Sequence, residues 1–599
     1  MQNAETVLSV IRERGRSDQR LERLYRQLYN PELYLQAYAK LYPNKGALTP
    51  GTTDETVDGM SQAKIFQVMD DLRYERFRWT PVRRTYIPKR EGKSKRPLGI
   101  PVWSDKLVQE VIRMLLEAYY EPKFSDRSHG FRPGRGCHTA LEEIKRTHKG
   151  TKWFIEGDIS KCFDSLDHEV MINILRESID DERFIRLIEN LLKAGYMENW
   201  TWNATLSGAP QGGVLSPLLS NIYLDRLDKF VEGVLIPEYT RGENRRRNPE
   251  YRHYEYKKRM AKERGDRKAY KVYDNRMRSV PAMDTHDPEY RRLRYVRYAD
   301  DFLLSFVGTK EEAEEIKQRL AAFLRDELRL ELSQAKTLVN HAGTEAARFL
   351  GYQIQAQYCD TWRDSRGSRN ANSEIALKVP DDVLQRLCDQ YLRDGKPIHR
   401  GALIMNNDFD IVARYQAEYR GYVQYYLLAR NVHQMNRLRW IMETSLLKTL
   451  ANKYKSTVTK MAKRYGAAID TEYGAMRGLR VVVERDGKEP LVAEFGGVPL
   501  RTRSHVANIT DGVVKLGQNH SELVQRLLAD KCEMCGSRVG IEVHHIRKLA
   551  DLTKPGRKEK PLWVQRTAAI RRKTLVVCEA CHDAIHRGEV RGEWAKNLE

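Results

Sequence analysis

No stretch of this 599-residue chain is long and apolar enough to cross a bilayer; runs such as VIRMLLEAYY stop well short of the roughly 18 to 20 residues required. The first twenty residues, MQNAETVLSVIRERGRSDQR, lack the unbroken apolar core of a secretory signal, so nothing directs the chain outward. Cysteine is scarce, eight residues in 599, which excludes a disulfide-stapled module. Four of the eight, Cys532, Cys535, Cys578 and Cys581, stand as two CxxC pairs, a spacing that reads as metal ligation in a reducing compartment. Fixed-period repeats and low-complexity tracts are also missing, which excludes a solenoid or a biased linker protein. Acid is the minority sign: 82 Asp and Glu against 104 Lys and Arg leave a net charge of +22. Such an excess points to a polyanionic partner, with nucleic acid the leading candidate and a membrane the weaker one.

The length implies about four domains. Residues 1 to about 75 read as helical, with apolar side chains three and four apart in LERLYRQLYN and PELYLQAYAKLY, followed by the loop TPGTTDETVDG. From about 80 to 355, strands (WFIEGDI, LRYVRYADDFLLSF, FLGYQI) alternate with helices (LVQEVIRMLLEAYY, EEAEEIKQRLAAFLRDEL), an α+β pattern. Between them lies a basic, Tyr-rich insert at about 241–279, whose composition predicts ordering on contact with a partner. The stretch from about 380 to 466 is helical again: Tyr415, Tyr419, Tyr422 and Tyr426 share one face as core. Lys448, Lys453, Lys455, Lys460, Lys463 and Arg464 form a cationic face suited to a phosphate backbone. After Gly466, RVVVE and PLVAEF flank a turn as a hairpin, and a Cys/His module begins near 526.

The chemistry concentrates in carboxylates. Asp300 and Asp301 lie between two strand-like runs, so a hairpin carries them at its tip, and Asp158 ends the strand WFIEGDI. Strand-end and turn acids brought together can hold two divalent ions about 3.5 to 4 Å apart, an arrangement that activates a 3′-hydroxyl and stabilises leaving pyrophosphate. Asp164 and Asp167 fall on the following helix or turn, in capping or packing roles.

YADD, GDISKCFDSLDH, RPLGIP and GAPQGGVLSPLLSNIYLDRLD, in this order with FSDRSHGFRPGRGCHTAL, LELSQAKT, RFLGYQI and YRGYVQYYLLARN, resemble a group II intron reverse transcriptase. The resemblance implies a right-handed polymerase with fingers, palm and a helical maturase thumb, in which Asp158, Asp300 and Asp301 bind catalytic Mg²⁺. By the same likeness Phe163 is the aromatic that collides with a ribose 2′-hydroxyl. Lys89 and Arg96 flank a fingers hairpin and neutralise the triphosphate of an incoming dNTP. Gly208, Gly212 and Gly213 let backbone approach nucleotide or primer, and Gln211 offers an amide.

In the module CEMCGSRVGIEVHHIRKL with CEACHDAIH, the four Cys spacings favour structural Zn²⁺. His582 and His586 lie at i and i+4 on one helix face and, with His544 and His545, point to a second metal. The pattern resembles a ββα-metal HNH nuclease, which implies His545 as general base and His544, His582 and His586 as holders of a divalent ion. It departs from that family where Lys573-Thr574 stands in place of the expected Asn.

The expected organisation is therefore an N-terminal extension (1–75), fingers and palm (76–365), thumb (366–466), a DNA-binding or linker region (467–525) and the HNH domain (526–599). The expected protein works as a ribonucleoprotein: it binds its intron RNA as a splicing maturase, nicks target DNA, and copies the RNA into DNA. Its expected place is the cytoplasm, nucleoid-associated when on DNA, with an organelle as the other compartment. Two alternatives stay open at this level, an RNA-binding splicing factor with idle enzymatic domains and a reverse transcriptase with a non-intron role.

Overall fold

Side-chain caps from Asn3, Asn30 and Ser61 open the amphipathic helices Ala4–Arg16, Pro31–Leu41 and Gln62–Arg73. Tyr34 and Tyr38, one turn apart, are fully buried, and their helix packs on the long helix Trp103–Tyr120. The segment LERLYRQLYN, expected to be helical, is not an α-helix: Leu21–Glu22 pairs in parallel with Ile179–Asp180, and Tyr25–Tyr29 is a 3-10 turn. Asp18 and Arg23 adopt left-handed φ values of 51° and 52°, which interrupts helix propagation on either side of Leu21. The computed structural model describes residues 3–44, 46–88, 95–198, 201–205, 208, 212–284, 287–333, 335–357, 374–485, 488–503, 521–546 and 573–587.

Four strands, β1 (Trp153–Asp158), β2 (Arg292–Tyr298), β3 (Asp301–Val307) and β4 (Val339–His341), make an antiparallel central sheet in the order β4-β1-β3-β2. Alternate residues feed two cores. Ile155, Phe302, Leu304 and Phe306 share one with the helices Ser216–Phe230 and Lys310–Leu328, while Phe154, Val296 and Leu303 share the other with Cys137–Thr147. Cover on both faces is why DFLLSF reads as an apolar run rather than an alternation.

One ion pair lies within this packing. Arg297, fully buried, places Nη2 2.5 Å and Nε 2.7 Å from the two oxygens of Asp228, which also accepts from Tyr295 Oη at 2.7 Å. The same guanidinium donates from Nη1 to the Ala299 carbonyl at 2.9 Å, so it reaches the turn between β2 and β3.

The insert is ordered as a helical hairpin, Pro249–Glu263 and Arg267–Ser279, contrary to the expectation that it orders only on contact. Caps from Asn248 and Asp266 start its helices, and Lys258 bridges to Asp274 at 2.6 Å between them. Ala261 is the one buried residue of these two helices, so local capping and pairing offset the missing core and leave the basic faces in solvent.

Farther on, helices Asp408–Tyr425, Met435–Lys453 and Val458–Tyr465 pack with a sheet of Gly466–Thr471, Gly474–Arg485 and Lys488–Gly496. Tyr415 and Tyr419 are buried with ring centroids 6.4 and 5.6 Å from that of Phe495, while Tyr422 is half-buried. Helices and sheet therefore share one core across Gly466. Of the basic residues assigned to a cationic face, Lys455, Lys460, Lys463 and Arg464 are exposed. Lys448 and Lys453 turn inward, donating to the carbonyl oxygens of Pro397 and Asn406 at 2.7 Å each, because no residue from Ile441 to Ala451 is exposed.

The C-terminal module consists of the helix Glu522–Leu528, an antiparallel hairpin of β5 (Ile541–His545) and β6 (Thr574–Cys578), and the helix Glu579–Arg587. A two-residue strand from the N-terminal region, Met60–Ser61, pairs antiparallel with β5 and makes the hairpin a three-stranded sheet.

Candidate active sites

At the first site, β1 and β3 run antiparallel with Asp158 directly opposite Asp301, and the tight turn Ala299–Asp300 sets the third acid beside them. Ala299 sits at φ 56°, a left-handed conformation that costs a non-glycine residue about 1–2 kcal/mol; the hydrogen bond from Arg297 to its carbonyl helps hold it there. Burial, then the charges of Asp300 and Asp158, push the Asp301 carboxyl up to about 7. Asp300 is raised too, by burial and by Asp158. Lys336 Nζ lies 3.0 Å from Asp158 Oδ2, and the charge of Arg96 acts on Asp300. Asp158 and Asp301 face each other with Asp300 in the adjoining turn, three acids against the two cations Lys336 and Arg96, and carboxylate oxygens are the donors that hard divalent cations such as Mg²⁺ take.

Phe163 lies on the short helix Cys162–Ser165, half-buried and edge-on to Phe131 with centroids 6.3 Å apart. A Cβ at Gly208 (φ 91°) would come within 2.6 Å of the Phe163 carbonyl, and one at Gly212 (φ 99°) within 2.6 Å of the Gly99 carbonyl. Gly208 is thus pressed against Phe163, and Gly212 against the strand Lys95–Ile100 that carries Arg96. Lys89 and Gln211 lie outside the described residues. Asp167 caps the helix His168–Ser178 through Val170 N at 3.0 Å, as its position predicted. Sequence reasoning missed Lys336: it lies within LELSQAKT, but that motif assigned it no role.

At the second site, the sulfur atoms of Cys532, Cys535, Cys578 and Cys581 all lie within 4.8 Å of one another, and Cys535 Sγ is 3.6 Å from Cys578 Sγ. Thiolates at 2.3 Å from one zinc sit about 3.8 Å apart, and the N–H groups of Met534 and Cys535 donate to Cys532 Sγ as they would to a thiolate, so the knuckle fits Zn²⁺.

His544, His582 and His586 also converge, and a fourth residue joins them: Asp58, from the loop TPGTTDETVDG, with ligand atoms of all four within 4.8 Å. Asp58 Oδ1 accepts from His545 N at 2.7 Å, and the Asp58 oxygens lie 3.3 Å from His582 Nε2 and 3.0 Å from His586 Nε2. Burial opposes ionisation of Asp58, but hydrogen bonds from His582 and His545 N–H hold it down to about 2. Burial likewise disfavours charge on His582, yet Asp58 and Glu542 raise it to about 9. A proton thus resides where four donors meet, and that charge pattern fits a cation. His545 follows His544 along β5 and turns elsewhere: its Nε2 is 3.1 Å from Tyr38 Oη, and burial lowers it to about 4. Thr574, of the Lys573-Thr574 pair that stands where an Asn was expected, lies directly across from His545 in the β5–β6 register.

Three family models match the chain: reverse transcriptase (RNA-dependent DNA polymerase) at residues 87–244, type II intron maturase at 375–486, and AI2M/AI1M-like HNH endonuclease at 532–582. The first match takes in Asp158 and stops at the basic insert, ahead of Asp300 and Asp301. Group II intron-encoded protein LtrA of Lactococcus lactis subsp. cremoris is 39% identical over 591 residues, 95% of this chain and 96% of its own. An uncharacterized 91 kDa protein in the cob intron of Schizosaccharomyces pombe is 33% identical over 94% of this chain and 69% of its own. Protein YkfC of Escherichia coli is 35% identical over 56% of this chain and 83% of its own. No helix among the described residues is long and apolar enough to cross a membrane. With near full-length identity to one such protein and all three domain families in order, the chain belongs to the group II intron-encoded proteins, a reverse transcriptase, an intron maturase and an HNH endonuclease on one polypeptide.

Proposed function

We propose that the protein acts with its intron RNA as a ribonucleoprotein that splices the intron, nicks target DNA and extends the new 3′ end along the RNA. The convergence of Asp158, Asp300 and Asp301 beside Arg96 and the glycine loop carries this reading. In it, residues 76–365 are fingers and palm, 366–466 the thumb, 467–525 a DNA-binding or linker region whose sheet shares the thumb's core, and 526–599 the nuclease. Mg²⁺ held by the three acids would make the primer 3′-hydroxyl a better nucleophile and offset charge on the leaving pyrophosphate. The chain's own groups do the rest. Arg96 meets the triphosphate of the dNTP, the Gly212 backbone admits the nucleotide, and the Phe163 ring stands against its sugar. The exposed Lys455, Lys460, Lys463 and Arg464, with the basic helical hairpin, neutralise RNA phosphates. Replacing Phe163 with valine should raise ribonucleotide incorporation about tenfold in primer extension with competing rNTPs; unchanged sugar selectivity would return Phe163 to a packing role.

In the nuclease, Cys532, Cys535, Cys578 and Cys581 would hold Zn²⁺, which would tie β6 and the following helix to the turn before β5. The divalent ion on the His cluster would polarise the scissile phosphate. Because Nε2 of His545 is engaged by the Tyr38 hydroxyl at 3.1 Å, Nδ1 is the nitrogen that would take a proton from water. Asp58 and Tyr38 fix this residue's backbone and ring, the orienting task that the family's Asn performs and that Lys573-Thr574 does not. His545→Ala in the ribonucleoprotein should reduce nicking of target DNA by about 100-fold while extension from a pre-nicked target persists. Nicking at the wild-type rate would remove His545 from the chemistry, and loss of extension as well would contradict separate sites.

A further inference from the structure

Asp58 is separated from His545 by 487 positions, yet its Oδ1 accepts from the His545 amide at 2.7 Å. Met60 stands opposite Val543 and Ser61 opposite Glu542 in the added strand, and Gly59 N donates to the Val543 carbonyl at 3.0 Å. Gly59, at φ 74°, makes the bend that turns Asp58 off the strand and onto the histidines; a Cβ there would meet Glu542 Oε2 at 3.4 Å. The carboxylate therefore reaches the cluster through a fixed register.

Donor atoms at about 2.1 Å from a single ion are about 3.0 Å apart along an octahedral edge and about 3.4 Å along a tetrahedral one. The observed separations are 3.0 Å for Asp58 Oδ2 to His586 Nε2, 3.1 Å for His586 Nε2 to His582 Nε2, 3.3 Å for Asp58 Oδ1 to His582 Nε2, and 3.5 Å for Asp58 Oδ1 to His544 Nδ1. Taken from the nearer Asp58 oxygen in each pair, these are the spacings of donors around one ion, with Asp58 counted as a single ligand. Glu542 Oε1, 2.5 Å from His582 Nδ1, orients that ring and directs Nε2 inward, as carboxylates behind metal-bound imidazoles do.

We propose that Asp58 is a ligand of the nuclease's divalent ion, so that the metal centre is built jointly by the N-terminal region and the C-terminal module. This rests on the reading of His544, His582 and His586 as the ion's other ligands. A carboxylate alongside three neutral imidazoles supplies the anionic charge that a hard dication prefers, and an octahedral ion keeps two positions for a phosphate oxygen and water. The opposite reading makes Asp58 a plug that occupies the place of the DNA phosphate; the two readings predict opposite signs.

The test is Mn²⁺ titration of the full-length, zinc-loaded chain, followed by pulsed EPR, in which imidazole nitrogen modulation selects the His-bound ion from ions held by oxygen alone. Asp58→Asn keeps an oxygen for the His545 amide but loses the charge, so docking stays while ligation weakens. The expected result is an apparent dissociation constant at least about tenfold higher for the nitrogen-coupled ion, with partial recovery in Asp58→Glu, and a parallel fall in nicking. Zinc content and thermal melting report folding independently. Unchanged or tighter Mn²⁺ binding in Asp58→Asn, or faster nicking, overturns the proposal in favour of the plug. His586→Ala separates the two levels: if it also keeps the nitrogen-coupled ion, the His cluster is not the nuclease centre and the role of Asp58 falls with it.

Discussion

Replacing Asp300 with alanine should lower RNA-templated DNA synthesis by at least about 10⁴-fold while the protein melts no earlier than the wild type. The rate effect follows from position: Asp300 stands in the turn beside the paired Asp158 and Asp301, and its loss removes one of the three carboxylates proposed to hold the ions. The stability effect follows from the charge balance. Asp301 is pushed up to about 7 by burial and then by Asp300, so in the metal-free chain the acid cluster opposes folding. A carboxyl raised in the fold binds more protons there than in the unfolded chain, so its contribution is present below pH about 4 and is lost as pH rises through about 7. Metal-free wild type should therefore melt earlier at pH 8 than at pH 6, and Asp300→Ala should flatten that difference. Primer extension with Mg²⁺ and dNTPs checks the first part and pH-dependent melting the second. Synthesis surviving in the variant would mean that the ions are held elsewhere.

Asp228→Ala should be the most damaging single change to the fold, about 3–5 kcal/mol, although Asp228 touches none of the proposed substrates. The loss would strand the Arg297 guanidinium, which is fully buried and has two of its donors committed to that carboxylate. Because Arg297 also holds the Ala299 carbonyl, a surviving fold would still lose the turn that aims Asp300. The double variant Asp228→Leu with Arg297→Met removes both charges and should recover most of the stability but not the synthesis rate. If Asp228→Ala melts within 1 kcal/mol of wild type, roughly the scale of an exposed pair, the ion pair is not the anchor that its burial implies.

Asp158 and Asp301 stood out because they end and begin apolar strands, and Asp300 because it fills the short turn between two such strands. The four cysteines were legible from spacing alone. Asp58 was not: in TPGTTDETVDG it reads as one more turn-forming aspartate, and its meaning depends on a strand pairing that no local pattern encodes. Asp228 was hidden in IYLDRLDKF, where a buried partner of Arg297 looks the same as a surface acid on a helix. LERLYRQLYN carried helical spacing, but two left-handed residues and a parallel pairing with Ile179–Asp180 overrode it. The basic insert misled in the other direction, since capped helices with cross-helix ion pairs can form without a core.

The pairing of Met60–Ser61 with β5 also dictates an order of events during synthesis. The His545 amide that Asp58 accepts lies 487 residues downstream, so at about 5–20 residues per second the N-terminal strand waits roughly half a minute or longer for its partner to leave the ribosome. The segments that form the central sheet emerge well before then. A nascent chain can thus acquire its copying machinery first and its cutting machinery last, and premature termination yields a copier without a cutter rather than the reverse.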